Sequence, residues 1–277
     1  MVALTTVRIG GCLVANSRQI DTHRARWQSK PSLRAVYLDY QDRIKNALVP
    51  GPVLEIGGGS GNLRDTLPDA ISLDMQWTPW LDLVADAHNL PFATGTFTNI
   101  VMLDVFHHLS YPVRFMREAM RVLRPGGRLV MIEPNISAVS WLFFKLLHDE
   151  PVQLREDPFD PAPRSGPSPY ESNQAIPYLI FVRKVEELKV VVPDLRVLST
   201  ERFSLWAYPL SGGFQRWTLL PTWMARPLLR LESKVNRWLG RLAGFRLMVV
   251  AERRQLPPEP AAISVAYSPD THQTLRK

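Results

Sequence analysis

Between residues 53 and 62 the chain reads Val-Leu-Glu-Ile-Gly-Gly-Gly-Ser-Gly-Asn, and the chemistry of the sequence is concentrated there. Gly57, Gly59 and Gly61 let a backbone leave a strand in a sharp turn and let a ligand lie against bare peptide. A helix following directly would aim its free N–H groups at that ligand. Glu55, two residues before the turn, is an acid in an otherwise apolar run. A dinucleotide fingerprint has the spacing G-x-G-x-x-G. Here its first two positions fall on Gly57 and Gly59, but the third falls on Asn62, and the actual pattern is G-x-G-x-G. A carboxylate at position 55 would also repel a pyrophosphate. Downstream, Asp74, Asp86 and Asp104 each close a short apolar run, and His107 and His108 follow the last of them. Aspartates at such ends either hold a ligand or cap the next helix. A histidine, with its pKa of ~6.5, can take a proton from a hydroxyl; otherwise it lines a pocket or packs.

These residues must be positioned by alternating strands and helices. The spacing of Leu33, Val36, Tyr37, Tyr40, Ile44 and Leu48 predicts an amphipathic helix that starts near Pro31 and is stopped by Pro50-Gly51-Pro52. Strands are predicted at 53–56, 70–74, 81–86, 97–104 and 128–133, with a helix after Gly61 to about Leu67 and another over 112–123. Pro125-Gly126-Gly127 reads as a stop and turn. Apolar strands alternating with helices indicate a parallel, doubly wound α/β sheet. Ser137 to His148 reads as a further helix, 149–172 as an irregular insertion with six prolines, and 173–191 as a helix again. Strands six and seven are expected at 194–205 and 245–252. Residues 1–30 form an N-terminal extension, 31–254 the main domain with insertions at about 136–175 and 206–244, and 255–277 a flexible tail.

Composition sets limits. The 277 residues are 45% hydrophobic and 21% charged, which excludes a wholly disordered chain. The single cysteine, Cys12, excludes an internal disulfide framework and a cysteine-rich zinc site, and fits a reducing, cytoplasmic setting. No compact acid cluster reads as a metal site. No apolar run reaches the ~18 residues of a membrane-spanning helix. Met1–Asn16 is apolar but lacks a charged leading segment, so it does not read as a signal peptide; Ile9-Gly10-Gly11-Cys12 looks like a lipoprotein cleavage box with too short a segment before it.

The motif series resembles class I S-adenosylmethionine-dependent methyltransferases, in particular the type 11, small-molecule branch. The glycine loop with its preceding acid matches the family's first motif, and an acid there suits a sulfonium ligand with an amino-acid tail. Asp86-Ala87-His88-Asn89-Leu90-Pro91-Phe92 matches its adenine-edge motif. Leu103 to Leu109 matches its segment after strand four, and Glu118 to Glu133 its following helix, turn and fifth strand. The likeness covers about 50–135 and, more weakly, 176–254. It implies a Rossmann-like sheet of seven strands, with the seventh antiparallel and placed between the fifth and sixth. It also implies that Glu55, Gly57, Gly59, Gly61, Asn62, Asp74, Met75, Asp86, Ala87 and Asp104 hold S-adenosylmethionine. Asp74 would bind the ribose, Met75 would pack on the adenine, and Asp86 with Ala87 would read its edge. Helix 33–48 would cover the cofactor, with Tyr37 and Tyr40 as candidate contacts. His107 and His108 are the candidate catalytic bases. A nicotinamide-dependent oxidoreductase is the rival, disfavoured by Asn62 in place of the third glycine. A non-catalytic cofactor-binding or membrane-adaptor protein is another.

The charge points to the partner. Net charge is +7, and residues 216–254 hold nine basic and two acidic residues, a surplus equal to that of the whole chain. Four tryptophans, Trp206, Trp217, Trp223 and Trp238, stand in the link between strands six and seven. From 227 to 242, Leu228, Leu231, Val235, Trp238, Leu239 and Leu242 form one stripe, with Arg230, Lys234, Asn236, Arg237 and Arg241 elsewhere. Such a helix either packs its stripe into the core or lies in a membrane interface. The second reading makes 217–242 a peripheral membrane contact and the acceptor a small or lipid-linked molecule with a hydroxyl or carbon nucleophile. Nucleic acid is not expected, since no motif for it is present. His148-Asp149-Glu150 reads as a solvated charge cluster or a substrate contact.

Overall fold

The computed structural model describes residues 18–147, 151–163 and 172–255. Cys12, the apolar start, the His148–Glu150 cluster and the tail from 256 onward lie outside the described residues. Helix α1 (Arg18–Ser29) precedes α2 (Pro31–Ala47), which begins with proline at its first turn. The weak periodicity before residue 30 did not announce α1. It packs through Trp27 against Leu33, Val36 and Tyr37 of α2.

Strands β1 (Val53–Ile56), β2 (Ile71–Asp74), β3 (Leu83–Val84), β4 (Phe97–Leu103) and β5 (Leu123–Pro134) run parallel. Between β4 and β5 lies α3 (Pro112–Val122). After β5 come α4 (Ala138–Leu147), the short turn α5 (Ile176–Tyr178) and α6 (Val185–Val191). Then follow β6 (Leu195–Phe203), α7 (Ala207–Ser211), α8 (Thr222–Ala243) and β7 (Arg246–Arg253). The seven strands form one sheet in the order β3-β2-β1-β4-β5-β7-β6, with β7 antiparallel to both neighbours. This is the doubly wound sheet with an inserted antiparallel seventh strand that the motif order implied. Its central strands are apolar on both faces because helices cover both. One core lies under α3 around Phe106, Phe115 and Met131; the other lies under α2 and α8 around Tyr40, Val130 and Phe203.

The structure corrects three local expectations. No α-helix follows Gly61: only a 3-10 turn, Leu63–Asp65, fits there. Nine residues separate Gly61 from β2, and Pro68 interrupts them. The helix expected over 173–191 is broken into α5, a π-helical turn (Leu179–Arg183) and α6, with the break at Lys184. The Pro125-Gly126-Gly127 turn lies within β5, as an irregularity between the Phe97–Leu123 and Asn99–Arg128 pairs.

Candidate functional site

β1 delivers the glycine loop to the carboxyl edge of the sheet, between β2 and β4. Gly57 N and Gly58 N both donate to Leu73 O, at 2.8 and 2.9 Å, so the loop is tied down on β2. Gly57 and Gly61 are required both by close approach and by backbone conformation. A Cβ on Gly57 would stand 2.2 Å from Val105, and one on Gly61 would stand 2.4 Å from the Trp80 ring; both residues also have positive φ. Gly59 differs. A Cβ there would meet nothing nearer than Gly57 O at 3.6 Å and Asp74 Oδ2 at 3.8 Å, so this side of the loop is open.

Asp74 borders the opening, and Glu55 lies buried beside Gly58 and Ser72. Asp74, at the end of β2, accepts from Gly59 N at 3.0 Å and from Gln76 N at 2.9 Å. Burial nonetheless pushes its pKa up. With about four acceptor positions, this carboxylate keeps capacity for a ligand hydroxyl beside its backbone donors. Glu55 is buried and accepts from Ser72 Oγ at 2.5 Å; burial lifts its pKa to about 7. Met75 is half exposed beside Asp74, while Ala87 is buried. Asp86 accepts from His88 N at 2.9 Å and lies 2.7 Å from His88 Nδ1, which holds its carboxylate below the usual range. Glu118 accepts from Leu90 N, and Arg121 donates to Leu90 O and Phe92 O, so α3 clamps the segment after Asp86. The cradle has room for a nucleoside ligand on this chain's own groups: an open backbone face at Gly59, an acid, Asp74, with acceptor capacity to spare, and the half-exposed Met75 beside it.

Several contacts to the loop were not visible in the motifs. Arg24 of α1 donates to Ser60 O at 2.7 Å and stacks on Trp80 at 4.0 Å. Trp80 Nε1 donates to Gly59 O at 2.8 Å. Gln41 of α2 donates to Asn62 O and accepts from Thr66 Oγ1. Thus α2 touches the end of the loop through Gln41, not through the two tyrosines. Tyr40 is fully buried and bonds Ser204 Oγ at 2.6 Å, while Tyr37 donates to Asp104 Oδ2 at 2.8 Å. Trp80 and Arg24 each lie a whole element from the loop in sequence, which is why spacing could not reveal them.

The end of β4 holds a second cluster. Asp104 adopts a left-handed backbone, φ 59, unusual for a residue with a side chain. Its carboxylate is turned to Tyr37 and to buried Arg246, whose Nη1 lies 2.5 Å from Oδ1; it does not reach the glycine loop. Arg246 stacks on Tyr208 at 3.9 Å. Burial opposes the charge of Arg246, but Asp104 and the tyrosines prevail and its pKa moves up. Asp104 does not cap the turn that follows, either. Glu133, at the end of β5 and fully buried, accepts from Val105 N at 2.9 Å and Phe106 N at 2.8 Å. Its other oxygen lies 2.6 Å from His107 Nδ1. The His107 and His108 rings are 4.1 Å apart. Glu133 was in view as the end of a strand, but only the fold shows its partner. A cleft of about 820 Å³ near Arg155, Lys184 and Glu187 lies on other elements and touches none of these residues.

Comparison with known proteins agrees with this geometry. Residues 54–131 match a family described as "Methyltransferase domain". A demethylmenaquinone methyltransferase of Beutenbergia cavernae is 33% identical over 133 residues, 43% of this chain and 55% of that one. A phthiotriol/phenolphthiotriol dimycocerosates methyltransferase of Mycobacterium tuberculosis is 34% identical over 109 residues, 32% of this chain and 40% of that one. The chain thus spans about half the length of these curated relatives, or less. Among solved structures, a SAM-dependent methyltransferase from Thermotoga maritima superposes with a TM-score of 0.54 at 14% identity, covering 85% of this chain and 97% of that one, a likeness of fold. Residues 54–131 thus resemble a methyltransferase domain, and the sheet as a whole has the fold of a SAM-dependent methyltransferase.

Proposed function

We propose that this protein transfers a methyl group from S-adenosylmethionine to a small or lipid-associated acceptor, at a hydroxyl or carbon. The observation that carries the reading is the loop 57–61, bare on its Gly59 side with Asp74 at its edge. Gly57, Gly59, Gly61 and Asn62 would cradle the cofactor, Asp74 would accept from its ribose, Met75 would flank its base and Asp86 with Ala87 would meet the base edge. Glu55 would face its cationic tail. When bound, the cofactor supplies an already activated methyl group, so the protein's work is chiefly positioning.

The remaining task is the acceptor's proton. The tautomer that donates Nδ1–H to the buried Glu133 carboxylate, 2.6 Å away, would place the basic lone pair of His107 on Nε2. We assign His107 as the general base, with His108 beside it, and Glu133 as the residue that sets its tautomer. A proton-bearing acceptor needs such a base, which contributes typically ~10²–10⁴-fold. The relatives named for menaquinone and phthiotriol substrates support a lipid-associated acceptor. The outward face of α8, within 217–242, supports a membrane-surface setting. Among the described residues no helix is long and apolar enough to cross a membrane.

Calorimetric titration tests the class. S-adenosylmethionine and S-adenosylhomocysteine should bind, NAD should not, and Asp74→Ala should lose the binding. Binding of NAD alone would return the oxidoreductase reading. Transfer of labelled methyl from the cofactor to lipid extracts then tests the acceptor class. His107→Ala should lower kcat about 10²-fold with cofactor affinity unchanged. Glu133→Gln should also displace the pH profile of kcat, which a merely structural contact would leave in place.

A further inference from the structure

We propose that α8 and α4 form one surface that docks on an anionic lipid bilayer. This rests on the lipid-associated acceptor reading for its purpose, but it is measured without turnover, so the two can fail separately. The geometry begins with α8. At about 100° per residue, its residues divide into three faces. Ala225, Leu229, Glu232, Asn236 and Gly240 are buried against the protein. Arg226, Arg230, Lys234, Arg237 and Arg241, all exposed, occupy the adjoining face. Met224, Leu231, Trp238 and Leu242 occupy the third, and Trp238 is 61% exposed. Of the apolar stripe read from the sequence, Leu231, Trp238 and Leu242 therefore face away from the core, while Leu228, Val235 and Leu239 are half-buried along its flank.

The surface continues beyond α8 on both sides. Before it, Trp217 and Leu219 are held outward on a loop fixed from within, where Lys30 Nζ donates to the carbonyls of Ser211, Gly213, Gln215 and Trp217 at 2.8–3.0 Å. After it, Asn135 Nδ2 donates to Gly244 O at 2.7 Å, which joins the end of α8 to the start of α4. On α4, Trp141, Leu142 and Leu146 are exposed. An exposed tryptophan on each helix has a cation over its ring: Arg237 on Trp238 at 3.8 Å and Lys145 on Trp141 at 5.0 Å. Indole rings with cations alongside suit the level of lipid headgroups, where the ring meets acyl chains and the charge meets phosphate. Charge complementarity selects the occupant: α8 presents five cations, and its single acid, Glu232, is buried. Since α4 leaves the carboxyl end of β5, beside Glu133, docking would present the site's edge of the sheet to the bilayer.

Flotation of the full chain with vesicles tests this. The probes are vesicles of phosphatidylcholine alone and of phosphatidylcholine with phosphatidylglycerol, at low and high salt. The wild type should float with the anionic vesicles at least about tenfold better than with the neutral ones, and salt should weaken it. Trp238→Asp with Leu231→Asp, and separately Arg230→Glu with Arg237→Glu, should abolish flotation; Trp141→Asp with Leu142→Asp should reduce it. S-adenosylhomocysteine titration on each variant checks that it is folded. A wild type that does not float, or folded variants that float undiminished, would overturn the proposal. So would dimerisation, seen by light scattering and lost in Trp238→Asp with Leu231→Asp, in a wild type that leaves vesicles untouched. Flotation without cofactor binding would keep the surface and remove the methyl-transfer reading.

Discussion

The glycine loop and α8 use polarity in opposite ways. At the loop, Glu55 and Asp74 stand in a strand context, Glu55 buried against Ser72 and Asp74 accepting from the Gly59 N–H, and the apolar residues around them point into the core. On α8 the buried face carries Glu232, Asn236 and Gly240 beside Ala225 and Leu229, while Leu231, Trp238 and Leu242 face outward. The difference teaches what decides a buried face. Glu232 is inside because it accepts from Trp206 N at 2.5 Å and Ala207 N at 2.6 Å, satisfying the open first turn of α7. Gly240 is inside because a Cβ there would stand 2.0 Å from Arg202 O of β6. Hydrophobicity alone would have turned this helix over.

The loop half of the comparison can be broken by pH. Burial lifts Glu55 from 4.5 to about 7, so between those values the folded chain holds a proton that the unfolded chain has released. The stabilisation from this group is fully present below about 4.5 and is lost as pH rises through about 7. A shift of this size corresponds to about 3 kcal/mol. Chemical denaturation of the cofactor-free chain at pH 5 and pH 8 should show that fall, and Glu55→Gln should flatten it. Affinity for S-adenosylmethionine should run the other way, rising with pH to about 7, because a cationic ligand favours the ionised carboxylate. On α8 the counterpart is Gly240→Val, which must push the helix off β6. We expect a loss of about 2–3 kcal/mol in the same measurement, and an undisturbed midpoint would mean that α8 does not approach β6 this closely.

The contrast also explains what could be read in advance. Strand ends, the order of motifs and the antiparallel seventh strand were legible because a ligand-binding loop fixes residue types over a few positions. Gly57, Gly59 and Gly61 form the turn out of β1 that their spacing suggested, and Asp74 at the end of β2 accepts from Gly59 N. Asp104 was legible as a strand end, but its partners, Tyr37 and Arg246, lie 67 and 142 residues away. Glu133 was hidden for the same reason, since its role exists only through His107, 26 residues earlier. The absent helix after Gly61 was misread because glycine loops of this type suggest one, whereas the short distance to β2 forbids it. The orientation of α8 could not be read at all from period, because Glu232 and Gly240 answer to α7 and β6.

Two smaller effects sharpen the α8 half. Glu232→Ala leaves the Trp206 and Ala207 N–H groups without their acceptor, at a cost of about 1–2 kcal/mol. Burial raises the pKa of Glu232, so part of its capping is already offset by desolvation, which keeps the expected loss moderate. Trp238→Ser is the smallest and the most discriminating. A tryptophan packed in a core costs about 3–5 kcal/mol on truncation. Trp238 is 61% exposed, so its replacement should change stability by less than about 0.5 kcal/mol. A loss of several kcal/mol would put the stripe back in the core and return Glu232 to the surface. A neutral result, in a chain that no longer floats with anionic vesicles, would show a large apolar residue kept outside because its partner is a bilayer.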